Sequence, residues 1–311
     1  MKIHLDNVNL TSRSGPNSFA RRFVDCVKTF EHEIVNESAE ADISLVFIER
    51  SGRPLAKKFV HRLDGIWFAP DQFESHNKNI KKTYEDADCV IWQSEFDKNM
   101  TTKWWSSPKR GHVIQNGAPR SFLKNQQLEN HLNLLKQKHE KIFVCSSNWH
   151  PQKRLSDNID MFLHLKSFYP TACLLILGSN PNILKNVPDA YVTGNLPHDA
   201  CMQIYESSDW MIHLAWLDHC PNTVVEAITC DTPVICSSDG GTKEVVGNFG
   251  LILKEDQNYQ FQLTNYDSPP SIDVKQVKFP LPEKQSLKKN DVSIEESVKK
   301  YLKVFDELLK K

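Results

Sequence analysis

The sequence predicts an α/β protein with two Rossmann-like domains in tandem, each built on a parallel sheet. Continuous apolar runs such as residues 43–48 and 173–177 recur along the chain, as in strands that are buried on both faces. Segments with helical spacing separate these runs, and strands that alternate with helices indicate a parallel, doubly wound sheet. The chain has 311 residues, which exceeds the usual size of one domain and favours two.

Each half of the chain supplies its own set of predicted strands. In the first half the strands are residues 2–5, 43–48, 58–63, 89–93 and 112–114, and helices are predicted over 19–30, 77–86 and 100–104. In the second half the strands are residues 142–146, 173–177, 191–192, 210–214 and 233–236, and helices are predicted over 157–169, 199–207 and 223–230. The repeated order makes the second half a unit of the same kind as the first.

The remaining segments divide the chain into domains and connections. Residues 126–140, rich in Lys, Gln and Asn, are predicted to link an N-terminal domain over 1–125 to a C-terminal domain over 141–255. Residues 256–290 contain four prolines among polar residues and are predicted to be irregular. Residues 291–311 predict an amphipathic helix that packs back on the N-terminal domain, with Ser293 and Glu296 as a capping box. A basic membrane-surface helix is the rival interpretation of this last segment.

Composition and charge argue against several classes of protein. Lys and Arg number 38 and Asp and Glu 39, so the net charge is −1 and gives no electrostatic case for nucleic acid. No apolar stretch approaches the roughly 18 residues of a spanning helix, and Asp6 interrupts the start of any signal peptide. The eight cysteines form no C-x-x-C pair, and several lie in apolar runs, as buried and reduced thiols do. We therefore expect a cytoplasmic protein without a membrane span.

The densest chemical signal lies between residues 194 and 246. The loop around Asp218 follows the carboxyl end of a predicted strand, where open α/β sheets bind ligands. Pro221, Asn222 and Thr223 then open a helix, whose N–H groups can hold an anion such as phosphate. Glu226, one turn into this helix, suits a sugar or ribose diol because a carboxylate would repel phosphate. The spacing leaves open the alternative that Asp218 and Glu226 only cap and solvate the helix.

The same segment is similar to the signature of retaining glycosyltransferases of family 4, which have the GT-B fold. Asp218 and Glu226 match the family's two acidic residues separated by seven others, and GGTKE at 240–244 resembles its GG-x-x-E motif. Other matches extend over almost the whole chain. They are VIQNGAP at 113–119, SNWHPQKRL at 147–155, LLILGSN at 174–180, and the helix–strand element with Asn77, Tyr84 and Gln93-Ser94-Glu95.

The resemblance implies roles for the matching residues. Glu226 would bind the ribose hydroxyls of a nucleotide, and Asp218 would hold hydroxyls of the transferred sugar. Lys153, aided by Arg154, would neutralise the charge on the leaving diphosphate. The other donor-binding candidates are loop and backbone positions. They are Gly15, Asn148, Gly194, Leu196, Pro197, Pro221, Asn222, Thr223 and Val224. Within this set, the N–H groups of Thr223 and Val224 would hold the diphosphate, the loop from Gly194 to Pro197 would border the base, and Gly15 would let backbone approach the phosphates and the acceptor.

The chain departs from the family pattern in places. Asp218 stands where the family most often has Glu, and Asn148 where it usually has Arg, so Arg154 would restore the missing charge from the neighbouring position. The family often has a catalytic His after a middle strand of the N-terminal domain. Here that stretch holds His61 and Asp64, which are both catalytic candidates, and which of them faces the cleft stays open. His61 could equally be a strand residue turned into the core.

Metal binding is not expected. The one D-x-D motif, Asp86 and Asp88, ends a predicted helix, and a hard cation needs more oxygen ligands than two carboxylates. Because Lys153, Arg154 and a helix N-terminus would carry the charge, the resemblance implies a reaction that requires neither a metal nor a cofactor.

The implied activity is that of a hexosyltransferase-type enzyme. A sugar would move from a UDP- or GDP-linked donor to an acceptor hydroxyl, with retention at the anomeric carbon. Glycan, lipid-linked and small-molecule acceptors all stay open, and so does peripheral contact with a membrane. Two alternatives also remain: a GT-B enzyme that epimerises nucleotide sugars, and a GT-B subunit that binds nucleotide sugars without turnover, which Asn148 and Asp218 keep open.

Overall fold

The computed structural model describes residues 1–12, 14–179, 181, 187–256 and 259–310. The chain divides into two compact units. The first consists of Met1–Pro119, Gln260–Asn265 and Val292–Lys311, and the second of Arg120–Tyr259 and Tyr266–Asp291. Each unit is built on one six-stranded sheet. The predicted class, two parallel α/β sheets in tandem, is therefore confirmed.

The sheet of the first unit is parallel throughout. Its strands are β1 (Lys2–Asp6), β2 (Glu33–Val35), β3 (Ile43–Phe47), β4 (Phe59–Leu63), β5 (Cys89–Trp92) and β6 (Gly111–Val113), in the order β2-β1-β3-β4-β5-β6. All residues of the central strands β3 and β4 are buried, which explains why they are mostly apolar, although Ser44, His61 and Arg62 are buried with them. The edge strand β2 has three residues, of which one is buried, so its sequence carried no strand signal.

The sheet of the second unit is also parallel. Its strands are β7 (Ile142–Ser146), β8 (Cys173–Leu177), β9 (Ala190–Gly194), β10 (Trp210–His213), β11 (Val234–Ser237) and β12 (Gly250–Leu253), in the order β12-β11-β10-β7-β8-β9. The predicted bounds of β7 and β8 coincide with the observed ones. Neighbouring β7 and β10 end at the same edge of the sheet, so the loops that follow them start side by side.

Nine α-helices lie among the described residues. They are α1 (Gly15–Thr29), α2 (Phe73–Asp86), α3 (Glu95–Trp104), α4 (Gln126–Lys138), α5 (Leu155–Lys166), α6 (His198–Ser207), α7 (Asn222–Thr229), α8 (Thr242–Val246) and α9 (Ile294–Leu309). Side-chain caps begin three of them: Ser94 accepts from the Asp97 N–H, Asn125 from Leu128, and Ser293 from Glu296. The last of these contacts forms half of the predicted capping box.

The C-terminal helix α9 packs inside the first unit, as predicted. Its Tyr301 ring lies 5.5 Å from that of Phe23 and 5.7 Å from that of Phe19, both on α1. Tyr301, Val298 and Phe305 are fully buried in the core of this unit. The apolar face of α9 is thus covered by protein and is not available to a membrane surface, which argues against the rival interpretation.

The connections differ from the sequence-based domain division. The first unit ends at Pro119 rather than at residue 125, and residues 126–138 form α4 of the second unit instead of a linker. Only Leu132 of this helix is buried, which explains why its apolar periodicity was weak. Within the segment predicted as irregular, 256–290, residues 257 and 258 lie outside the described residues. The described part contains two short 3-10 turns.

Parts of this irregular segment join the core of the second unit. Ile272, Val277 and Leu281 are buried against the hydrophobic cluster around β7, β8 and β10. Three buried aliphatic side chains anchor a backbone that has little regular structure of its own. No described helix is both long and apolar enough to cross a membrane.

Candidate functional site

The candidate site is assembled from loops at the carboxyl edge of the second sheet. The 3-10 turn Pro151–Lys153 follows β7, and the loop with Asp218 follows β10. Gly240, after β11, has a φ of +116°, and a Cβ at this residue would lie 2.8 Å from the carbonyl oxygen of Asp218. Its neighbour Gly241 donates its N–H to that carbonyl at 2.7 Å. The two glycines therefore allow the loop after β11 to support the Asp218 loop at close range.

Hydrogen bonds attach the Lys153 turn to the end of β10. The Trp216 N–H donates to the carbonyl of Gln152 at 2.8 Å. The Asn158 side chain donates to the Lys153 carbonyl at 3.1 Å and accepts from the Leu214 N–H at 3.3 Å. The backbone positions of the two loops are thus fixed relative to each other.

Lys153 and Asp218 form an ion pair at this edge. Lys153 Nζ lies 2.5 Å from Asp218 Oδ2, and His213 Nε2 lies 3.5 Å from the same oxygen. Burial acts to raise the pKa of Asp218, but the charge of Lys153 and the proximity of His213 outweigh it and hold this pKa well below its usual range. Burial also lowers the pKa of His213, against the effect of Asp218. Two residues singled out by sequence are therefore brought together, with Asp218 ionised.

Arg154 does not join them. Its guanidinium is fully buried and donates to both carboxylate oxygens of Glu255, at 2.7 and 3.0 Å, and to the Leu214 carbonyl at 3.3 Å. This contact corrects our expectation that Arg154 would face the diphosphate, because both terminal nitrogens of its guanidinium already donate to a carboxylate. Asn148, the other position in that argument, is exposed and hydrogen-bonds Ser179 and His150.

Glu226 lies one turn into α7 and is buried. His198, the first residue of α6, has its Nε2 3.4 Å from Glu226 Oε1. The charge of Glu226 also reaches Cys201 and Tyr205: burial first, and Glu226 second, raise the pKa of Cys201 to about 12 and that of Tyr205 well above its usual value. Residues 198, 201 and 205 share one face of α6, and this face covers the carboxylate.

The start of α7 differs in detail from the expected diphosphate site. Pro221 precedes the helix, and Asn222 and Thr223 are its first two residues. The Val224 N–H donates to the Pro221 carbonyl at 3.1 Å, so Val224 is a weaker donor candidate than the sequence suggested. The loop from Gly194 to Pro197, which we expected to border the nucleotide base, begins with a turn, since Gly194 ends β9 with a φ of +71°. Leu196 is half-buried and Pro197, which precedes α6, is exposed. Asn180, at the end of the matched LLILGSN motif, lies outside the described residues.

The candidates in the first unit have different environments. His61 is fully buried within β4, with Nε2 2.6 Å from the Ile48 carbonyl oxygen, and burial lowers its pKa to about 4. Asp64 follows β4 and is partly accessible. Gly15 is exposed and forms the first residue of α1. Of the pair left open by the sequence, His61 is a neutral sheet residue, as its core interpretation proposed, and Asp64 is the accessible one.

Asp64 belongs to a polar network. Its Oδ1 accepts hydrogen bonds from Arg62 and, at 2.5 Å, from Gln93. Asn116 accepts from Arg62 at 2.7 Å and donates to Gln93 at 2.8 Å. Burial raises the pKa of Asp64, against the lowering effect of Arg62. Gln93, matched by sequence as part of a strand-end motif, thus supports Asp64.

The D-x-D motif has structural partners. Asp88 accepts from Lys58 Nζ at 3.1 Å and from the Phe59 N–H at 3.0 Å, and Asp86 lies 3.6 Å from Arg50. Among the described residues, no three His, Cys, Asp or Glu side chains are grouped as a metal site would require.

Sequence reasoning missed three residues of the site. Glu255 lies 101 positions from Arg154, in a polar stretch without a motif. His198 gave no signal beyond opening a helix. His213, a lone histidine at the end of an apolar strand, was the one detectable case, because a buried imidazole needs a partner.

The chain is similar to proteins of one class. Residues 126–261 match the family described as glycosyl transferases group 1. No curated protein sequence matches the chain. Among solved structures, sucrose-phosphate synthase from Thermosynechococcus elongatus is 13% identical with a TM-score of 0.68, covering 100% of this chain and 99% of that one. A glycosyltransferase from Rickettsia africae is 15% identical with a TM-score of 0.68, covering 99% and 98%.

A third similar structure contains ligands. It is Anabaena HepE in complex with UDP and glucose, 13% identical with a TM-score of 0.66, covering 99% of this chain and 100% of that one. At such low identity the three structures establish the shared fold, and the family match adds the class of enzyme. Residues 126–261 thus match the glycosyl transferases group 1 family, and the chain is a glycosyltransferase with the GT-B fold.

Proposed function

We propose that this chain is a retaining, metal-independent glycosyltransferase of family 4. It transfers a sugar from a UDP- or GDP-linked donor to an acceptor hydroxyl. The observation that carries the proposal is the ion pair between Lys153 and Asp218, 2.5 Å apart at the carboxyl ends of β7 and β10. A cation beside a carboxylate suits two neighbouring parts of such a donor, the diphosphate and the sugar hydroxyls.

Both partners of this pair change contacts when the donor binds. A diphosphate carries more negative charge than one carboxylate, so it competes with Asp218 for the Lys153 ammonium. Asp218 then accepts hydrogen bonds from sugar hydroxyls, which replace its contact with the ammonium. Its position relative to the lysine places the sugar next to the diphosphate, at the bond that breaks.

Glu226 binds the ribose diol. Its carboxylate is buried beside His198, 3.4 Å away. The two ribose hydroxyls can each donate a hydrogen bond to this carboxylate, whereas a phosphate would repel it. The backbone donor at the start of α7 is the Thr223 N–H, because Val224 donates to Pro221. The positive end of the helix adds to this attraction.

The charge on the leaving diphosphate is stabilised by Lys153 and by the N-terminus of α7. These groups supply the electrostatic contribution that a metal supplies in other transferases. No covalent glycosyl-enzyme is proposed, and the leaving phosphate accepts the proton of the acceptor hydroxyl. The acceptor is a glycan, a lipid-linked sugar or a small molecule, with peripheral membrane contact in the second case.

The similar structures point to a particular base for the donor, but not to a particular sugar. Anabaena HepE has been solved with UDP and glucose and also with UDP-glucose, which supports a uridine nucleotide here. We also propose a cytoplasmic location, because all eight cysteines lie among the described residues as free thiols, typical of a reducing compartment.

Ligand-induced stabilisation tests the donor. The melting temperature is measured with UDP, GDP, UDP-glucose and GDP-mannose in turn. A ligand at about 100 times its dissociation constant adds roughly 2.7 kcal/mol to the free energy of unfolding. We expect a rise with the uridine compounds; no rise with any nucleotide contradicts the proposal.

Product analysis tests the reaction. The donor that stabilises the protein is incubated with it, with water as the acceptor, and release of nucleotide diphosphate and the anomer of the sugar that forms first are followed by NMR. Retention yields the α-anomer from an α-linked donor. A nucleotide sugar with an isomerised sugar would instead identify an epimerase, and binding without any release would identify a non-catalytic subunit.

A further inference from the structure

We propose that Arg154 and Glu255 form a brace that positions Lys153 at the diphosphate, so that Arg154 acts on the reaction through its neighbour rather than on the substrate. This inference rests on the proposed function of Lys153. It assigns a role to Glu255, which lies in a segment without a recognisable motif and 101 positions from its partner.

The backbone of Arg154 adopts an unusual conformation. Its φ and ψ are +51° and +51°, in the left-handed region. A residue with a Cβ is disfavoured there, and such a conformation persists only where the surroundings hold it. Arg154 separates the Lys153 turn from α5. The direction in which the chain leaves Lys153 therefore depends on whatever holds Arg154.

Contacts of the Arg154 guanidinium stabilise this backbone conformation. Both carboxylate oxygens of Glu255 accept from Arg154, at 2.7 and 3.0 Å, in a pair that is almost completely buried. Glu255 is fixed in turn by the Ser237 hydroxyl, which donates to Oε1, and by its own N–H, which donates to the Ser238 hydroxyl at 3.1 Å. Because Ser237 ends β11, the brace is anchored in the sheet itself.

The same contacts reach the loop of Asp218. Arg154 also donates to the Leu214 carbonyl at 3.3 Å, directly after β10 and four residues before Asp218. The Asn158 side chain links the carbonyls of Lys153 and Arg154 to the Leu214 N–H. Lys153 has a long flexible side chain, so its ammonium is placed by a fixed backbone at one end and Asp218 at the other. The brace fixes both.

The charged partners of Arg154 and Lys153 also support different roles for these two neighbouring cations. Glu255 neutralises Arg154 within the protein, whereas the partner of Lys153 lies at a partly accessible edge. A diphosphate can replace Asp218 there, but it cannot reach a guanidinium without access to solvent. Arg154 is therefore a positioning residue.

The test is a double-mutant cycle in the full-length protein. Arg154→Gly is combined with Glu255→Gln: glycine accepts the left-handed conformation, glutamine still accepts from Ser237, and no buried charge is left unpaired. This brace variant is compared with the wild type, and again in a Lys153→Ala background. Release of UDP from UDP-glucose, with water as acceptor, is the activity, and the melting temperature checks folding.

We expect the brace variant to lose activity on the order of 10²-fold, the effect of misplacing a catalytic group by about 1 Å. In the Lys153→Ala background the same changes should cost less than about threefold, because residues that act through one another are not additive. Equal losses in both backgrounds would contradict the proposal, since a general structural defect adds to the loss of Lys153. Unchanged activity in the brace variant would also overturn it.

Two further variants separate the possible failures. Arg154→Lys keeps a cation opposite Glu255 and removes only the bidentate geometry, so it should give an intermediate loss even if the brace variant fails to fold. Full activity in Arg154→Lys overturns the brace. As a matched control, removal of the Lys166–Asp189 ion pair of the same unit, 2.7 Å, by Lys166→Met and Asp189→Asn should leave UDP release within threefold. If Lys153→Ala alone has no effect, the proposed function of Lys153 fails together with the brace; if only the brace variant has none, that function stands.

Discussion

Each unit of the molecule buries an arginine at the carboxyl edge of its sheet, but the two arginines are neutralised differently. Arg62 lies near the end of β4 in the first unit and pairs with Asp64; Arg154 follows β7 of the second and pairs with Glu255. The Glu255 pair is closed, because both of its oxygens accept from the guanidinium. In Asp64 only Oδ1 accepts, and Oδ2 is buried without a hydrogen-bond partner among the described residues.

The surroundings of the two guanidinium groups explain this difference. Arg62 lies 4.3 Å from the ring centre of Phe19 and 5.0 Å from that of Phe47, and it also donates to Asn116. Aromatic faces and an amide share its charge, so Asp64 is not its sole partner. Arg154 has one more distant ring, that of Trp216 at 5.9 Å, and the Leu214 carbonyl at 3.3 Å, so it depends more on Glu255. The Arg154–Glu255 pair is closed and inaccessible, whereas the Asp64 side chain is partly accessible to a ligand. Asp64 therefore stays a catalytic candidate, and Arg154 does not.

The largest expected effect is on stability and separates the two pairs directly. Glu255→Ala leaves Arg154 buried without its carboxylate, which should cost roughly 3–5 kcal/mol. Asp64→Ala should cost clearly less, because Arg62 keeps Asn116 and the two rings. Urea denaturation measures both free energies of unfolding. A loss in Asp64→Ala that equals or exceeds the loss in Glu255→Ala would remove the distinction between closed and open pairs.

The second expected effect is on turnover and concerns Lys153. If its ammonium is the cation for the diphosphate, Lys153→Ala should lower the rate of UDP release from UDP-glucose on the order of 10²–10³-fold. Lys136, exposed on α4, provides the control, since an isolated surface charge contributes about 0–1 kcal/mol. Similar rates in Lys153→Ala and Lys136→Ala would exclude Lys153 from the reaction.

The third expected effect is on nucleotide affinity. Loss of a charged hydrogen-bonding partner typically costs about 1.5–3 kcal/mol, so Glu226→Ala should weaken UDP binding by that amount in a calorimetric titration. The exposed Glu283 is a suitable control. His198→Ala should weaken binding less, because His198 contacts the Glu226 carboxylate and does not itself bind the ribose. An unchanged affinity in folded Glu226→Ala would remove Glu226 from the ribose site.

The smallest effect is a contrast in pH dependence between the two units. Burial raises the pKa of Asp64 above 3.8, so its contribution to stability is fully present below pH 3.8 and is lost as the pH rises through the raised value. Burial opposes but does not prevent the lowering of the Asp218 pKa by Lys153. The Asp218 contribution is therefore present above pH 3.8 and is lost as the pH falls through the lowered value.

Asparagine variants make this contrast measurable. The free energy of unfolding of Asp64→Asn, relative to the wild type, should improve as the pH rises from about 3 to 7, and that of Asp218→Asn should worsen. Urea denaturation at several pH values provides both curves. Two curves that change in the same direction would show that the two carboxylates are not in opposite environments.

The sequence predicted the sheets better than the contacts between their loops. Strands β7 and β8 coincide with their predicted bounds because unbroken apolar runs mark strands that are buried on both faces. The strand β12 was missed because it lies at the edge of its sheet with one buried residue, and helix α8 because five residues are too few to show a helical period. Helix α4 was missed because it buries a single side chain.

The site shows the same division. Asp218 and Glu226 stand in one motif with fixed spacing and Lys153 in another, so the sequence could identify them, and the structure brings Lys153 and Asp218 into contact. The partner of Arg154 was out of reach, because no local pattern relates two residues 101 positions apart. Adjacent cations in a sequence look equivalent, and only the three-dimensional partners separate Lys153 from Arg154.

The central claim is that side chains of this protein, above all Lys153, carry the charge of the leaving diphosphate. UDP release from UDP-glucose in excess EDTA tests it most directly. The account predicts that the wild type keeps its rate in EDTA and that Lys153→Ala stays slow with or without added Mg²⁺ or Mn²⁺. A wild-type rate that collapses in EDTA and returns with Mn²⁺ or Mg²⁺ would contradict it.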